Sequence, residues 1–334
     1  MARTKEGTMH ARVLAMMIGL AGMLAGPASA QFKEVVPGSD FKVTLLGTGS
    51  PAPIMKRFGP ATLVQVNGQS LLFDAGRGVT QRLYQVGQPM GKINALFLTH
   101  LHSDHVVGIP DLWLTGWLRA AYARRDGPLR VFGPEGTRGL MDGLQKAYAW
   151  DIETRVADQG LKREAIAVEV TEFAGEGTIY EQDGVKVAAI KVNHGEKVKP
   201  AFGYRIDFGG RSVVISGDTK FDENLIGRAE GADLLIHQVA AMRPELLKIP
   251  VFKVIMAHHT SPEEAGVVFA RAKPKLAVYY HFVIYGNPKI PPYTEQDVID
   301  LTRKNYSGPL LIGQDLVAFD VTKDGVKVTE PAAK

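Results

Sequence analysis

Four apolar runs in this 334-residue chain each stop on a histidine or an aspartate. INALFLT runs into His100, VKVAAIKVN into His194, RSVVISG into Asp218 and LAVYY into His281. Short apolar runs bounded by turn residues have the pattern of buried strands. Strand ends and the loops beyond them are where a scaffold displays chemistry. One such histidine by itself is best explained as a satisfied structural residue. Four strand ends carrying the same kind of side chain demand a fold that brings them together, and the donor type points to a metal site.

The first of these ends is the richest. HLHSDH offers His100, His102, Asp104 and His105 within six residues. Imidazole and carboxylate suit zinc and neighbouring divalent ions, and manganese or iron can take the same donors. Three or four ligands hold one ion, whereas seven suffice for two ions about 4 Å apart. His194, Asp218 and His281 bring the set to seven. Asp104 also suits a helix cap.

The rest of the chain is consistent with an α/β fold. FKVTLLGTGSP is a strand entering a Gly-rich turn. ATLVQV and SLLFDAG flank an NG turn and make a hairpin. VTQRLYQVG and GTRGLMDGLQKAYAW are helical. A second half is expected to open near IAVEVTEF and to continue through VKVAAIKVNH, AFGYRIDFGG and RSVVISGD. Helices and strands alternate from there, and LLIGQDLVAFDVTKDGVKVTE closes the chain as strands with a KDG turn. Two sheets inside with helices outside accommodate this order. PKIPPY is a rigid surface loop. No linker divides residues 31–334, which are expected to form one domain.

Composition is that of a globular protein, with 45% hydrophobic and 22% charged residues. There is no cysteine, which excludes disulfides, a thiol nucleophile and thiolate ligands. The N-terminus joins a basic MARTKEGTMHAR to the apolar VLAMMIGLAGMLAG and to PASA, the pattern of a signal peptide cleaved after Ala30. A short membrane anchor is the alternative. Cleavage implies a periplasmic or secreted protein with no membrane association. The whole chain carries a net charge of +4, and losing the leader's three basic and one acidic side chains lowers it. With no block of Lys and Arg, no nucleic-acid partner is expected. The expected substrate is a small-molecule ester, and a homodimer is no more than a base-rate expectation.

HLHSDH, the lone histidine of VNHG, the aspartate of SGDT and the histidine of YYH, in this order, resemble the metallo-β-lactamase fold superfamily. LLGTGSPAPIMKRFGPATLV and Asp74 of LFDAG fit as well. The resemblance implies an αββα sandwich, two internal mixed sheets flanked by helices. It also implies one metal on His100, His102 and His194, a second on Asp104, His105 and His281, and Asp218 bridging both. Asp74 is then a support that orients a ligand imidazole. Such sites use a hydroxide held between two metals, most commonly zinc, to attack an ester.

AHHTSPEEAG resembles the corresponding region of the ribonuclease Z branch and of arylsulfatase-like enzymes near it. There a histidine before Ser/Thr faces the leaving group as acid or charge stabiliser. His259 is the expected catalytic residue beside Asp218, with His258 as the other choice. His237 is either near the substrate or structural. GPEGT at 133–137 starts a helix able to meet an anion, or is a plain turn. Trp113, Trp117, Tyr122 and Tyr148 either wall an aromatic pocket or pack helices. Joined to the leader, these features resemble the periplasmic arylsulfatase-like group. The expected function is therefore an exported dinuclear hydrolase of aryl sulfates or related esters. The alternatives are a ribonuclease Z-like phosphodiesterase, a lactonase and a non-catalytic metal-binding protein.

Overall fold

Alternating apolar side chains set the architecture, because a strand sends successive residues to opposite faces. The structure is a computed structural model and describes residues 40–331. The leader expected at 1–30 lies outside the described residues. Six strands come first: β1 (Phe41–Gly47), β2 (Ala61–Val66), β3 (Gln69–Phe73), β4 (Ala95–Phe97), β5 (Leu129–Pro134) and β6 (Val168–Phe173). Seven follow: β7 (Gly177–Gln182), β8 (Val185–Val192), β9 (Ala201–Phe208), β10 (Arg211–Ile215), β11 (Leu234–Ala241), β12 (Leu276–Ile284) and β13 (Leu310–Ile312). The last two are β14 (Ala318–Thr322) and β15 (Gly325–Thr329).

They form two mixed sheets, in the orders β15-β14-β1-β2-β3-β4-β5-β6 and β13-β12-β11-β10-β9-β8-β7. Each sheet is antiparallel on one side and parallel on the other, the parallel parts being β3 to β6 and β10 to β13. The second half was expected to begin near IAVEVTEF. Instead β6 pairs parallel with β5 at the edge of the first sheet. The final strands also return to that sheet, β14 pairing with β1. Edge pairing of this kind is long-range, and local periodicity does not encode it.

The helices are α1 (Val79–Gln85), α2 (Ser103–Val106), α3 (Ile109–Trp117), α4 (Thr137–Ala147), α5 (Ala149–Gln159), α6 (Glu223–Arg228), α7 (Pro250–Met256), α8 (Pro262–Ala272) and α9 (Glu295–Arg303). Three cores separate the layers. Leu71, Phe73 and Phe97 of the first sheet meet Phe202, Tyr204, Ile215 and Ile236 of the second. On the outer face of the first sheet, Leu72 and Leu96 pack against Leu83 of α1 and against Leu112, Trp113 and Trp117 of α3. Outside the second sheet, Val214 and Leu235 meet Leu225 of α6, Phe269 of α8 and Val298 of α9. Leu71, Leu72 and Phe73 thus alternate between two cores, giving the αββα arrangement expected.

The layers are joined next to the histidine-rich segment. Phe202 N–H, on β9, donates to Thr99 O at 2.9 Å. The Tyr204 hydroxyl donates to Leu98 O. These bonds bring the loop after β4 against the second sheet, where the other candidate ligands stand at strand ends. Ligand crevices of α/β sheets lie outside the carboxyl ends of their strands.

Candidate metal centre

The segment after β4 is held from behind by Asp74. Its carboxylate accepts Thr99 N–H at 2.8 Å and the Thr99 hydroxyl. It also pairs with His105 Nδ1 at 2.7 Å. This directs His105 Nε2 away from the support and towards the other candidate ligands. Close backbone contact locks the arrangement, with Ala75 N–H on His105 O and Gly108 N–H on Ala75 O, both 2.8 Å. Gly76 permits that approach, since a Cβ there would fall 2.6 Å from Asp104 O. The structure thus gives Asp74 the supporting position expected of it.

All seven expected ligands converge. Donor atoms of His100, His102 and His194 lie within 4.8 Å of one another, as do those of Asp104, His105 and His281. His102 Nδ1 stands 2.9 Å from His100 Nε2 and 3.3 Å from His194 Nε2. His281 Nε2 is 3.2 Å from His105 Nε2 and from Asp104 Oδ2. Asp218 Oδ2 sits between the groups, 3.5 Å from His105 Nε2, 3.4 Å from His281 Nε2 and 3.7 Å from His194 Nε2. His194 is oriented by its other nitrogen, which contacts His258 O at 2.9 Å.

This donor set fits divalent cations. His194 donates through Nδ1 to His258 O, so its neutral ring turns a bare Nε2 lone pair into the cluster, where a cation would accept it. The other oxygen of Asp218, Oδ1, is buried without a hydrogen-bond partner among the described residues. A buried charged oxygen left so is costly unless something else satisfies it. Burial resists ionisation of Asp218, but His281, His105 and His100 outweigh it and hold its carboxyl well below the usual range. Burial and the neighbouring His105 keep His100 neutral, with its pKa well below that of free imidazole. Burial likewise lowers His194. His105 goes the other way: burial opposes its charge, but Asp74 and Asp218 outweigh this and raise its pKa well above that of free imidazole. A metal there must displace a proton, since neutral histidine and ionised carboxylate are the forms that bind metal.

A cavity of about 410 Å³ opens over the cluster, lined by His102, Asp104, His194, Asp218, His258, His259 and His281. Its outer wall is apolar: Val198, Val254, Ile255, Val283 and Tyr285. His259 is the inner of the two neighbouring histidines, grouped with donor atoms of His194 and Asp218. Burial pushes its pKa down to about 3 against the opposing charge of Asp218. Gln238, which the sequence did not single out, fixes its ring. The Gln238 amide donates to Thr219 O at 2.7 Å, leaving Oε1 to accept His259 Nδ1–H at 2.9 Å. The following Ser261 and Glu264 form a capping box that starts α8, and the Thr260 hydroxyl bonds Thr219 O. His258 lies at the mouth and packs against Gly195, where a Cβ would come 2.2 Å from its ring.

Three open questions from the sequence resolve towards structure. His237 is buried, edge-on to Phe269, on the face of β11 opposite Gln238. The first N–H groups of α4 are taken by the chain's own carboxylate, Gly136 and Arg138 both donating to Glu172 Oε1. Trp113 and Trp117 pack between helices and donate to Ile166 O and Lys162 O. Tyr122 packs beside them and Tyr148 is exposed, and neither lines the cavity. The aromatic ring on the cavity wall is Tyr285.

Comparison with known proteins gives the class. Residues 69–282, which contain all seven candidate ligands, match the β-lactamase superfamily domain. A ribonuclease Z of Mycobacterium marinum is 37% identical over 283 residues, covering 84% of this chain and 98% of that protein. Among solved structures, the metallo-β-lactamase fold protein YhfI of Bacillus subtilis aligns with a TM-score of 0.62 at 21% identity, over 83% of this chain and 98% of that one. Human tRNase Z, short form, aligns with a TM-score of 0.60 at 22% identity, over the same shares. The chain belongs to the metallo-β-lactamase superfamily, on its ribonuclease Z-like branch.

It is thus a metal-dependent hydrolase. The expectation that excluded nucleic acid is corrected, because the relatives that share a third of its residues are ribonucleases by name. Net charge averages over the whole surface, whereas phosphate contacts are local. Here the exposed Lys197 and Lys199 flank Val198 of the cavity wall, and exposed Lys253 precedes Val254.

Proposed function

We propose that the protein is a dinuclear metal-dependent phosphodiesterase of the ribonuclease Z type, with RNA as its substrate. The observation that carries this is the complete set of seven converging donors in a chain 37% identical to a ribonuclease Z over most of its length. His100, His102 and His194 would hold one cation, Asp104, His105 and His281 the other, and Asp218 both. Bound there, two divalent cations supply Lewis acidity towards the phosphoryl oxygens and activate water for attack. Zinc is the proposed metal.

The chain's own side chains do the remaining work. Asp74 and His258 O orient ligand imidazoles through the nitrogens that do not face the centre. His259 presents Nε2 to the cavity, because Gln238 occupies Nδ1. Its neutral ring can accept a proton that the attacking water gives up as its oxygen bonds to phosphorus, and pass that proton to the departing oxygen as the phosphorus–oxygen bond to the leaving group breaks. The apolar wall with Tyr285 offers a surface for the non-reacting part of the substrate.

The leader supports a further proposal, that the mature chain begins after Ala30 and is exported. N-terminal sequencing of the native protein checks it. The substrate is tested by giving the zinc-loaded protein an RNA with a 3′ extension, bis(nitrophenyl) phosphate, nitrophenyl sulfate and a lactone. RNA cleavage together with phosphodiester turnover is expected. Turnover of the sulfate with neither phosphodiester touched would restore the aryl sulfate function first expected from the sequence.

A further inference from the structure

His281 carries a backbone conformation its side chain does not favour. Its φ is +45°, in the left-handed region. The cause lies in β12. Ala277 and Tyr279 face the helix layer, and an unbroken strand would send 281 and 283 the same way. Instead Phe282 packs in that layer. The pairing of β12 with β11 shifts register at Gln238/Val239, opposite this point. The strand therefore bulges at His281, and the bulge turns its imidazole into the metal cluster. A conformation like this persists only where its surroundings hold it.

The surroundings are specific and centre on Arg57. Phe282 N–H, next to His281, donates to Thr48 O at 3.0 Å. Arg57 donates to the Thr48 hydroxyl and to Gly313 O, both at 2.6 Å, and to Glu295 at 2.7 Å. Its guanidinium carbon lies 4.1 Å from the centre of the Phe282 ring. Gly313 N–H in turn bonds Tyr279 O on β12 at 2.9 Å. Asp315 holds the other side of Thr48, accepting its N–H and its hydroxyl, and also accepts Phe58 N–H and Arg82. One buried, planar fork thus grips the loop that bonds Phe282, the loop that bonds Tyr279 and the ring of Phe282. Arg57 touches neither the cavity nor any candidate ligand.

We infer that Arg57, acting through Thr48 and Phe282, is a positioning residue that fixes the His281 bulge and so the second metal position. This rests on the proposal that His281 is a ligand. The test is competitive chelator titration of the zinc protein, with cobalt substitution as a spectroscopic readout, on Arg57→Met, Arg57→Lys and His281→Ala. Removing a partner that orients a ligand costs 10–100-fold in metal affinity. Arg57→Met is expected to weaken one of two ions by about that factor, leave the other in place, and alter the cobalt spectrum of the weakened ion. Arg57→Lys should recover only part of this, since an ammonium lacks the fork. His281→Ala should weaken the same ion. Circular dichroism checks folding, and should Arg57→Met not fold, Asp315→Asn carries the test with the same expected pattern. If Arg57→Met holds both ions as the parent does while His281→Ala loses one, the positioning role falls alone. If His281→Ala also leaves both ions and the spectrum unchanged, the ligand assignment falls first.

Discussion

The two sheets supply the metal centre in opposite ways. The first sheet delivers four donors from six consecutive residues, His100 to His105, on one loop braced by Asp74. The second delivers His194, Asp218 and His281 singly, after β8, after β10 and within β12. The first half is a local motif, whose geometry follows from a turn and one supporting carboxylate. The second exists only if three strands, an inter-strand register and a bulge are all correct. A compact loop can therefore be disrupted at one residue, whereas the dispersed half depends on the integrity of a sheet.

Asp218 is where the halves meet, so its loss should be the most severe. Asp218→Asn keeps the shape but removes the charge facing His105, His194 and His281. Metal catalysis supplies several kcal/mol of transition-state stabilisation. Losing that much is expected to lower phosphodiester turnover by about 10³-fold. Elemental analysis should show less than two metal equivalents. A variant that keeps both ions and full turnover would show that the two halves share no ligand.

Next comes the brace of the compact half. Asp74 accepts from donors through both oxygens. An amide cannot accept at both sites, so Asp74→Asn sets an N–H against either His105 Nδ1 or Thr99 N–H. Metal affinity should fall about 10–100-fold, read by chelator competition. An unchanged affinity would mean that the loop backbone alone fixes His105.

The same contrast explains what could be read in the chain before its structure. Spacing reveals HLHSDH because its donors share one loop. His194, Asp218 and His281 were legible because each ends an apolar run, and the order of the set pointed to the fold. Gln238 gave no such sign. It sits inside an apolar strand, and its role depends on which face of β11 it occupies. Arg57 was equally silent, since its partners Gly313 and Glu295 lie more than two hundred positions away. The place of β6 at the edge of the first sheet was missed for the same reason. The exclusion of nucleic acid failed because it weighed net charge and sought one basic run, whereas Lys197, Lys199 and Lys253 come to the cavity rim from separate segments.

Gln238 offers a finer probe of the dispersed half, since it holds His259 without being a candidate ligand. Gln238→Met removes the acceptor from His259 Nδ1–H at similar size. The ring then loses its fixed orientation while both ions stay. Turnover should fall about tenfold or somewhat more, below the full worth of a positioned acid. Metal content should not change. The effect should be larger with a poor alkoxide leaving group than with nitrophenolate, and equal losses on both would assign Gln238 to structure alone.

The smallest effect on the reaction is expected one residue away. His237 shares β11 with Gln238 but faces the helix layer, its Nε2 buried without a partner among the described residues. Burial lowers its pKa from 6.5 to about 4. The folded protein therefore keeps this ring neutral at pH values where the unfolded chain protonates it. Stability must fall as pH drops from 6.5 towards 4, because the unfolded state binds the extra proton. One proton corresponds to about 1.4 kcal/mol per pH unit across that window. His237→Phe removes the titration and leaves a ring against Phe269. Denaturant unfolding of both zinc-loaded proteins should give a stability difference that is constant above pH 7 and shifts in favour of the variant by that slope below 6.5. Turnover at neutral pH should be unchanged. A difference that stays flat from pH 7 to 5 would mean that His237 is protonated in the fold. A loss of turnover would show that the site face and the helix face of β11 are coupled.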